Sequence, residues 1–457
     1  MKLSLADLSR LHSVEINNAG AMKKKTITGV STDSRTIKPG NLFVALRGEK
    51  FDGHQFVDDV SARGALAVVV DTVWKKENAQ LMNRLRNTVV VVPDTTKAFG
   101  ELARGYRKKF SIPFLVVGGS NGKTSTKEMI TAVLRMKYAV LSTEGNLNNH
   151  IGVPHMLFRL MPKHDIAVLE VGTNHFGELD LLCDIAAPTH VLITNIGREH
   201  LEYFGDEDGV AKEETKLYGA VRTKGFAFVN LDDARLAKAG KKVRHKLTYG
   251  MSKKADVRAM RVMTNEQGCP EFEISVNGKA NFVRLSAAGL HNATNATAAA
   301  AVGFKFKVPK KKIISALEMY AGVSKRMEII RRNDLTILND TYNANPDSVI
   351  AALKTLRSMT VKGKKIVVLA DMLELGEKAE HEHAKIGLAV SDMEFEYLLT
   401  FGPLSRFTHE ASKLAFAEHF DAKADLIVAL KSQLTPGDAV LVKGSRGMKM
   451  EEVVEKI

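Results

Sequence analysis

The stretch from Val116 to Met129 reads VVGGSNGKTSTKEM, and its residue types are those that hold a phosphate chain. Gly118, Gly119 and Gly122 let the backbone turn its N–H groups toward an anion at a helix N-terminus. Lys123 can reach outer phosphates, and the Thr124 hydroxyl can take Mg²⁺. Gly119, Ser120, Asn121, Gly122, Lys123, Thr124 and Ser125 are therefore candidate nucleotide contacts. The common spacing of such loops, G-x-x-x-x-G-K-[ST], would place a glycine at 117, where this chain has Val117. A β-branched run precedes the stretch and a helical pattern, TSTKEMITAVLRM, follows it, so the reading is a variant phosphate loop.

Further polar residues stand where apolar runs end. Glu170 closes IAVLE, Asn195 follows VLIT, Asp340 follows TILN and Asp371 follows VVLA. Side chains at the carboxyl ends of buried strands suit a ligand site better than a core. Glu170 alone could merely cap the next helix, and His200, in ITNIGREHLEYFG, could be an ordinary loop histidine. With Thr124 they offer a hydroxyl, a carboxylate and an imidazole that could share Mg²⁺. LHNATNATAAAAVG offers Asn292 on a helix of small residues, either as a packing amide or as a partner for a base edge.

These residues need a scaffold of buried strands and returning helices, and the chain supplies one. Residues 1–96 mix short apolar runs with turn signals and read as a small α/β domain. Residues 97–324 alternate strands with helices around the loop, and residues 325–457 repeat the alternation with LTILND, KIVVLAD, YLLTFG and AVLVKG. The expected fold is α/β in three domains: a small N-terminal domain, a central doubly wound parallel sheet carrying the phosphate loop, and a C-terminal Rossmann-like domain. With 457 residues, several domains are expected. No run of 18 apolar residues suggests a membrane span. No secretory signal opens the chain, and two cysteines make no disulfide framework, so a cytoplasmic protein is expected. The net charge is +14, but a single Trp and no basic stretch interleaved with aromatics favour a small polyanionic ligand over nucleic acid.

The motifs together resemble the Mur ligases of peptidoglycan synthesis over nearly the whole chain. STDSRTIKPGNLFVALRGEKFDGHQFV resembles the family's uridine-nucleotide domain, with Ser34 and Arg35 in the matching Asp-Ser-Arg element. GSNGKTSTKEM is similar to its phosphate loop, spaced G-x-x-G-K. EGNLNNHIGVP, LEVGTNHFGEL and ITNIGREHLEYFG follow in the family's order, and VSKRMEI, NDTYNANPDS and ADMLELGEKAEHEH match its C-terminal part. TYNANPDS and NLNNHIGVP separate the chain from sister ligases that add L-Ala, D-Glu or the third peptide residue.

The resemblance implies an ATP- and Mg²⁺-dependent amide ligase, acting through an acyl phosphate, that joins D-alanyl-D-alanine to a UDP-N-acetylmuramoyl tripeptide. A monomer without nucleic acid partners is expected. By resemblance, Lys123, Glu170 and His200 would be catalytic, and Asn292, Arg326, Asp340, Tyr342 and Asn343 would contact ATP. Ser34, Arg35, Asn146, Asn149, Asn174 and Arg198 would contact the muramoyl peptide substrate. The family also carries a carbamylated lysine that helps hold a second Mg²⁺. Counted without gaps from His200 and from Leu217-Tyr218, the matching residue here is Glu214. Lys212 and Lys216 each lie roughly 200° around a helix from it, so they should face away. The metal candidates are thus Thr124, Glu170, His200 and Glu214.

Overall fold

The structure is a computed structural model that describes every residue except Lys50, Arg222 and Thr223. It divides into two compact units: residues 1–116, 138–173 and 178–189 in one, and 117–137, 174–177 and 190–457 in the other. Among the described residues no helix is long and apolar enough to cross a membrane.

The first unit holds a sheet of Glu15–Asn17 (β1), Gly29–Ser31 (β2), Asn41–Val44 (β3), Ala67–Asp71 (β4) and Thr88–Val92 (β5), in the order β1-β5-β4-β3-β2. Only β1 runs antiparallel to its neighbour. The valine runs of β4 and β5 are buried throughout, as a parallel strand covered on both faces requires. Their side chains pack with Phe43, Val57 and Trp74. Asp94 accepts the N–H groups of Thr96 and Lys97 and so starts helix Thr95–Arg107 (α1). The chain leaves this unit within strand Phe114–Gly118 (β6). It returns for Val140–Ser142 (β7) and Ile166–Glu170 (β8), which pair in parallel.

In the second unit, helix Lys123–Arg135 (α2) follows the phosphate loop directly. Strands His190–Ile193 (β9), Phe226–Asn230 (β10) and Lys246–Gly250 (β11) run parallel. Helices Glu207–Glu214 (α3) and Ala234–Gly240 (α4) are capped by Asp206 and Asp233. Next comes an antiparallel ribbon absent from the sequence reading: Val257–Thr264 (β12), Pro270–Val276 (β13) and Lys279–Arg284 (β14). Helices His291–Lys305 (α5) and Lys310–Glu318 (α6) complete the central part.

The C-terminal part builds a six-stranded sheet from Glu328–Arg332 (β15), Leu335–Asp340 (β16), Lys365–Ala370 (β17), Tyr397–Phe401 (β18), Ala417–Phe420 (β19) and Ala439–Lys443 (β20). The order is β15-β16-β20-β17-β18-β19, parallel except for β15. Helix Pro346–Ser358 (α7) starts with a reciprocal Asn345–Ser348 cap and Pro346 in its first turn, and helix Ala379–Asp392 (α8) packs nearby.

Candidate active site

The phosphate loop is built from the end of β6 to the start of α2. Val117 is a fully buried strand residue, so the loop begins later than in the common pattern. Gly119 and Gly122 have φ of +111° and +77°. A Cβ on Gly119 would lie 2.3 Å from Thr194 Oγ1, and one on Gly122 would lie 2.8 Å from Asn295 Oδ1. Both positions therefore need glycine for conformation and for space. The loop is held from behind: Asn121 N–H donates to Asn195 Oδ1 (3.1 Å), Asn195 Nδ2 donates to the Asn121 carbonyl (2.9 Å), and Gly197 N–H donates to Ser120 Oγ (2.8 Å).

Lys123 Nζ folds back onto its own loop. It donates to the carbonyls of Gly119 and Ser120 and lies 3.3 Å from Glu199 Oε2. Glu199, which the sequence reading did not single out, is 7% exposed. Thr124 is buried at the start of α2. Glu214 ends α3 and turns into the loop, where its Oε2 accepts the Gly119 N–H at 2.7 Å. Its Oε1 is buried without a hydrogen-bond partner among the described residues. Burial pushes the Glu214 carboxyl up to about 8; Lys123 opposes the rise and Glu199 adds to it. Lys216 pairs with Glu213 at 2.7 Å, and the Lys212 ammonium lies 5.6 Å from the centre of the Phe176 ring.

His200 opens the next helical turn in a left-handed conformation, φ +49°. Its Nδ1 lies 2.5 Å from Glu374 Oε2, and this bond holds the Glu374 carboxyl below its ordinary range. Its Nε2 faces Glu199 Oε2 at 3.9 Å. Arg198 reaches two acids of the C-terminal part. Its Nε and Nη2 lie 3.0 and 2.5 Å from Asp347 Oδ1, and its Nη1 lies 2.6 Å from Glu382 Oε2. Asn345, at the cap of α7, donates to Asn121 Oδ1 of the phosphate loop at 2.9 Å. Asn174 Oδ1 lies 3.0 Å from the Nδ1 of its neighbour His175.

On α5, Asn292 is buried. Its Nδ2 donates to the Ala288 carbonyl (2.7 Å), and its Oδ1 accepts from Asn295 (3.0 Å). At the ends of β16 and β20, Asp340 and Asn343 meet a residue the sequence reading missed. Lys443 Nζ is buried 2.5 Å from Asp340 Oδ2 and donates to the Asn343 carbonyl at 2.8 Å. The Arg326 guanidinium lies 3.8 Å from the centre of the Tyr342 ring. Lys443 closes AVLVK, a charge at the end of a buried strand, and that signal could have found it.

In the first unit, Glu170 ends β8 almost fully buried. Its Oε1 accepts from Asn148 Nδ2 (2.9 Å), and its Oε2 has no hydrogen-bond partner among the described residues. Asn149 Oδ1 accepts the Ile151 and Gly152 N–H groups just before the following helix. Asn146 is exposed in the same loop. The Ser34 carbonyl accepts from Arg63 at 3.1 Å. Arg35 forks onto Asp33, with its side chain still 85% exposed, and so holds the Asp33 carboxyl down to about 2.

Glu170 Oε2 in the first unit and Glu214 Oε1 in the second are each buried carboxylate oxygens without a hydrogen-bond partner among the described residues, and each by itself is a hard donor of the type Mg²⁺ takes. Among the described residues no group of three or more His, Cys, Asp or Glu side chains is placed to hold a metal.

A phosphate loop on a mostly parallel sheet, followed by a second Rossmann-like sheet, is the arrangement that the family models describe as that of a ligase. The chain matches the Mur ligase family, catalytic domain over residues 26–107, the Mur ligase middle domain over 117–303, and the Mur ligase, glutamate ligase domain over 325–446. It belongs to the Mur ligase family. It is 35% identical over 441 residues to the UDP-N-acetylmuramoyl-tripeptide–D-alanyl-D-alanine ligase of Bacillus subtilis, covering 95% of this chain and 94% of that protein. Its fold superimposes on a crystal structure of MurF from Acinetobacter baumannii with a TM-score of 0.90 and 29% identity, covering 100% and 98% of the two chains. MurF ligase from Thermotoga maritima in complex with ADP is similar at a TM-score of 0.82 and 26% identity, covering 94% and 97%.

Proposed function

We propose that the protein is an ATP-dependent ligase that joins D-alanyl-D-alanine to the peptide carboxylate of a UDP-N-acetylmuramoyl tripeptide in the cytoplasm, working as a monomer. The observation that carries this reading is end-to-end similarity to a ligase of that name, in a chain that keeps a complete phosphate loop ending in Lys123. The tripeptide carboxylate attacks the γ-phosphorus of ATP and ADP leaves. The amine of D-alanyl-D-alanine then attacks the acyl phosphate, expelling phosphate and a proton as the amide forms.

Two anions must meet in the first step, so positive charge fixed at the γ-phosphate lowers the barrier most. Lys123 supplies it once phosphate oxygens replace the Gly119 and Ser120 carbonyls as its partners. The loop N–H groups hold the remaining phosphates, with Gly119, Ser120, Asn121, Gly122, Thr124 and Ser125 as contacts. Mg²⁺, when bound, supplies further charge neutralisation, and Thr124, Glu170, His200 and Glu214 are the proposed donors. Asn292 and Arg326 would face the adenine and ribose, and Asp340, Tyr342 and Asn343 would bring the C-terminal part onto ATP. Ser34 and Arg35 would hold the uridine nucleotide. Asn146, Asn149, Asn174 and Arg198 would line the path of the muramoyl peptide. The domain division that goes with these roles is 1–96, 97–324 and 325–457.

Phosphate release from ATP tests the reading. It should require UDP-N-acetylmuramoyl tripeptide, D-alanyl-D-alanine and Mg²⁺ together. Release that is equally fast without the nucleotide sugar would reduce the protein to a plain ATPase, and release driven by folate and glutamate would move it to another ligase of the same fold.

A further inference from the structure

A cluster of basic residues in the second unit lies at the amino-terminal ends of its parallel strands, opposite the phosphate loop. Strands β9, β10 and β11 start in register, with His190 beside Phe226 and Ala227 beside Lys246. Helices α2 and α5 start at the loop, where Gly122 touches Asn295, and run together to the far edge, where a Cβ on Gly303 would meet Val133. Three segments that pass through this end, 129–137, 234–255 and 285–317, contain no Asp or Glu.

Direct contacts join these segments into one surface. Lys137 Nζ donates to the Lys307 carbonyl (2.9 Å) and Lys312 Nζ to the Met136 carbonyl (3.0 Å). The Lys305 ammonium lies 3.6 Å from the centre of the Phe226 ring, and the Phe306 ring lies 5.0 Å from that of His190. Next to them, Lys241, Lys242 and Arg244 are exposed in the turn between α4 and β11.

Part of this charge works against the fold. Lys310, Lys311 and Lys312 occupy the first turn of α6, and Glu318 sits in its last, the reverse of what the helix dipole favours. Charge held at such a cost, with no acid interleaved, suits an anionic partner.

We propose that this basic edge docks on the surface of a bilayer rich in anionic phospholipids, leaving the nucleotide loop turned away from the membrane. Lysines dominate the surface, and point charges on flexible stems match phospholipid headgroups. Single-stranded nucleic acid fits less well, because the aromatic rings here are not open for stacking: Phe226, Phe304 and Phe306 are half-buried, and Phe226 carries Lys305 on its face.

The test is co-sedimentation of the full chain with vesicles of phosphatidylglycerol and phosphatidylcholine, against vesicles of phosphatidylcholine alone. Binding is expected only with phosphatidylglycerol, with release at ~0.5 M salt. A Lys241→Glu, Lys242→Glu, Lys310→Glu, Lys311→Glu variant should partition more than about a hundredfold more weakly, since each surface lysine contributes about fivefold. Ligase activity should not change, and the melting temperature should move little, because the acids placed in the first turn of α6 suit its dipole and offset those placed at the C-terminal end of α4. The same positions changed to Gln give a graded loss and a second route should the Glu variant not fold. Equal binding to both vesicle types, undiminished binding by both variants, or displacement from vesicles by a single-stranded oligonucleotide that binds more tightly would overturn the proposal.

Discussion

The end of β6 opens into a glycine loop, whereas β16 and β20 close on charged residues, and the charges at the two places are balanced in opposite ways. Around the phosphate loop, Glu199 and Glu214 crowd one lysine, Glu214 keeps an unpartnered oxygen, and Lys123 bonds to carbonyls that a phosphate chain could replace. At the C-terminal cluster, Asp340 and Lys443 pair at 2.5 Å, and Lys443 also holds the Asn343 carbonyl. The first arrangement leaves electrostatic work for a ligand to complete. The second is complete in itself and holds the backbone at Asn343. A ligand therefore has more charge to complete at the phosphate loop than at the C-terminal cluster, whose buried pair is already balanced.

Asp340→Ala should strike stability hardest. It strands a buried ammonium and should cost about 3–5 kcal/mol, whereas Asp340→Leu with Lys443→Met should recover most of that loss. Chemical denaturation of the three proteins measures both effects. A mild loss in Asp340→Ala would erase the distinction between the clusters. Lys123→Ala should do the reverse: ligation should fall by ~10²-fold or more, with a smaller loss of stability than in Asp340→Ala, because it leaves Glu199 without its cation. Wild-type activity would remove the loop from the chemistry, and a large drop in melting temperature would make Lys123 a structural residue. Arg198→Ala should be smaller in both respects. It removes one partner each from the half-buried Asp347, which keeps the residue 198 N–H, and from the buried Glu382, which keeps Lys385, and should lower stability by about 1–3 kcal/mol in a denaturant titration.

The sequence was most legible where chemistry and local structure coincide. The phosphate loop, the strand ends at Glu170 and Asp340, and the helix of small residues carrying Asn292 are each contained within one strand–loop–helix passage. Glu199 was missed because its acceptor role toward Lys123 depends on a contact 76 residues away in the chain. The His200–Glu374 and Asn121–Asn345 bonds span 174 and 224 residues, and no local pattern encodes them. Strands β14 and β19 were illegible for another reason. As edge or ribbon strands they are largely exposed or half-buried, so neither an apolar run nor a clean alternation marks them. Arg198 shows the limit from the other side: its type suggests an anionic substrate, while its present partners are two carboxylates of the same chain.

The smallest effect tests the phosphate-loop cluster most sharply. In the metal-free protein the Glu214 carboxyl is raised from 4.5 to about 8, chiefly by burial. An acid whose folded-state pKa lies above its unfolded value binds more protons when folded, so its contribution to stability is present at low pH and is lost as pH rises through that window. In EDTA, the wild-type melting temperature should therefore fall between pH 5 and pH 8, by an amount equivalent to at most ~1.4 kcal/mol per pH unit. Glu214→Gln keeps a side chain that can still accept the Gly119 N–H but carries no charge, so its fall should be smaller and it should be the more stable of the two at pH 8. Identical pH profiles would mean that Glu214 is not strained by its burial. Mg²⁺ with ATP should narrow the gap by offsetting the charge that Gln lacks, and added bicarbonate should change neither protein, because Glu214 supplies its carboxylate without carbamylation. Bicarbonate-dependent activity that disappears in Lys212→Ala or Lys216→Ala while surviving in Glu214→Ala would transfer the role to a lysine, despite the present pairing of Lys216 with Glu213.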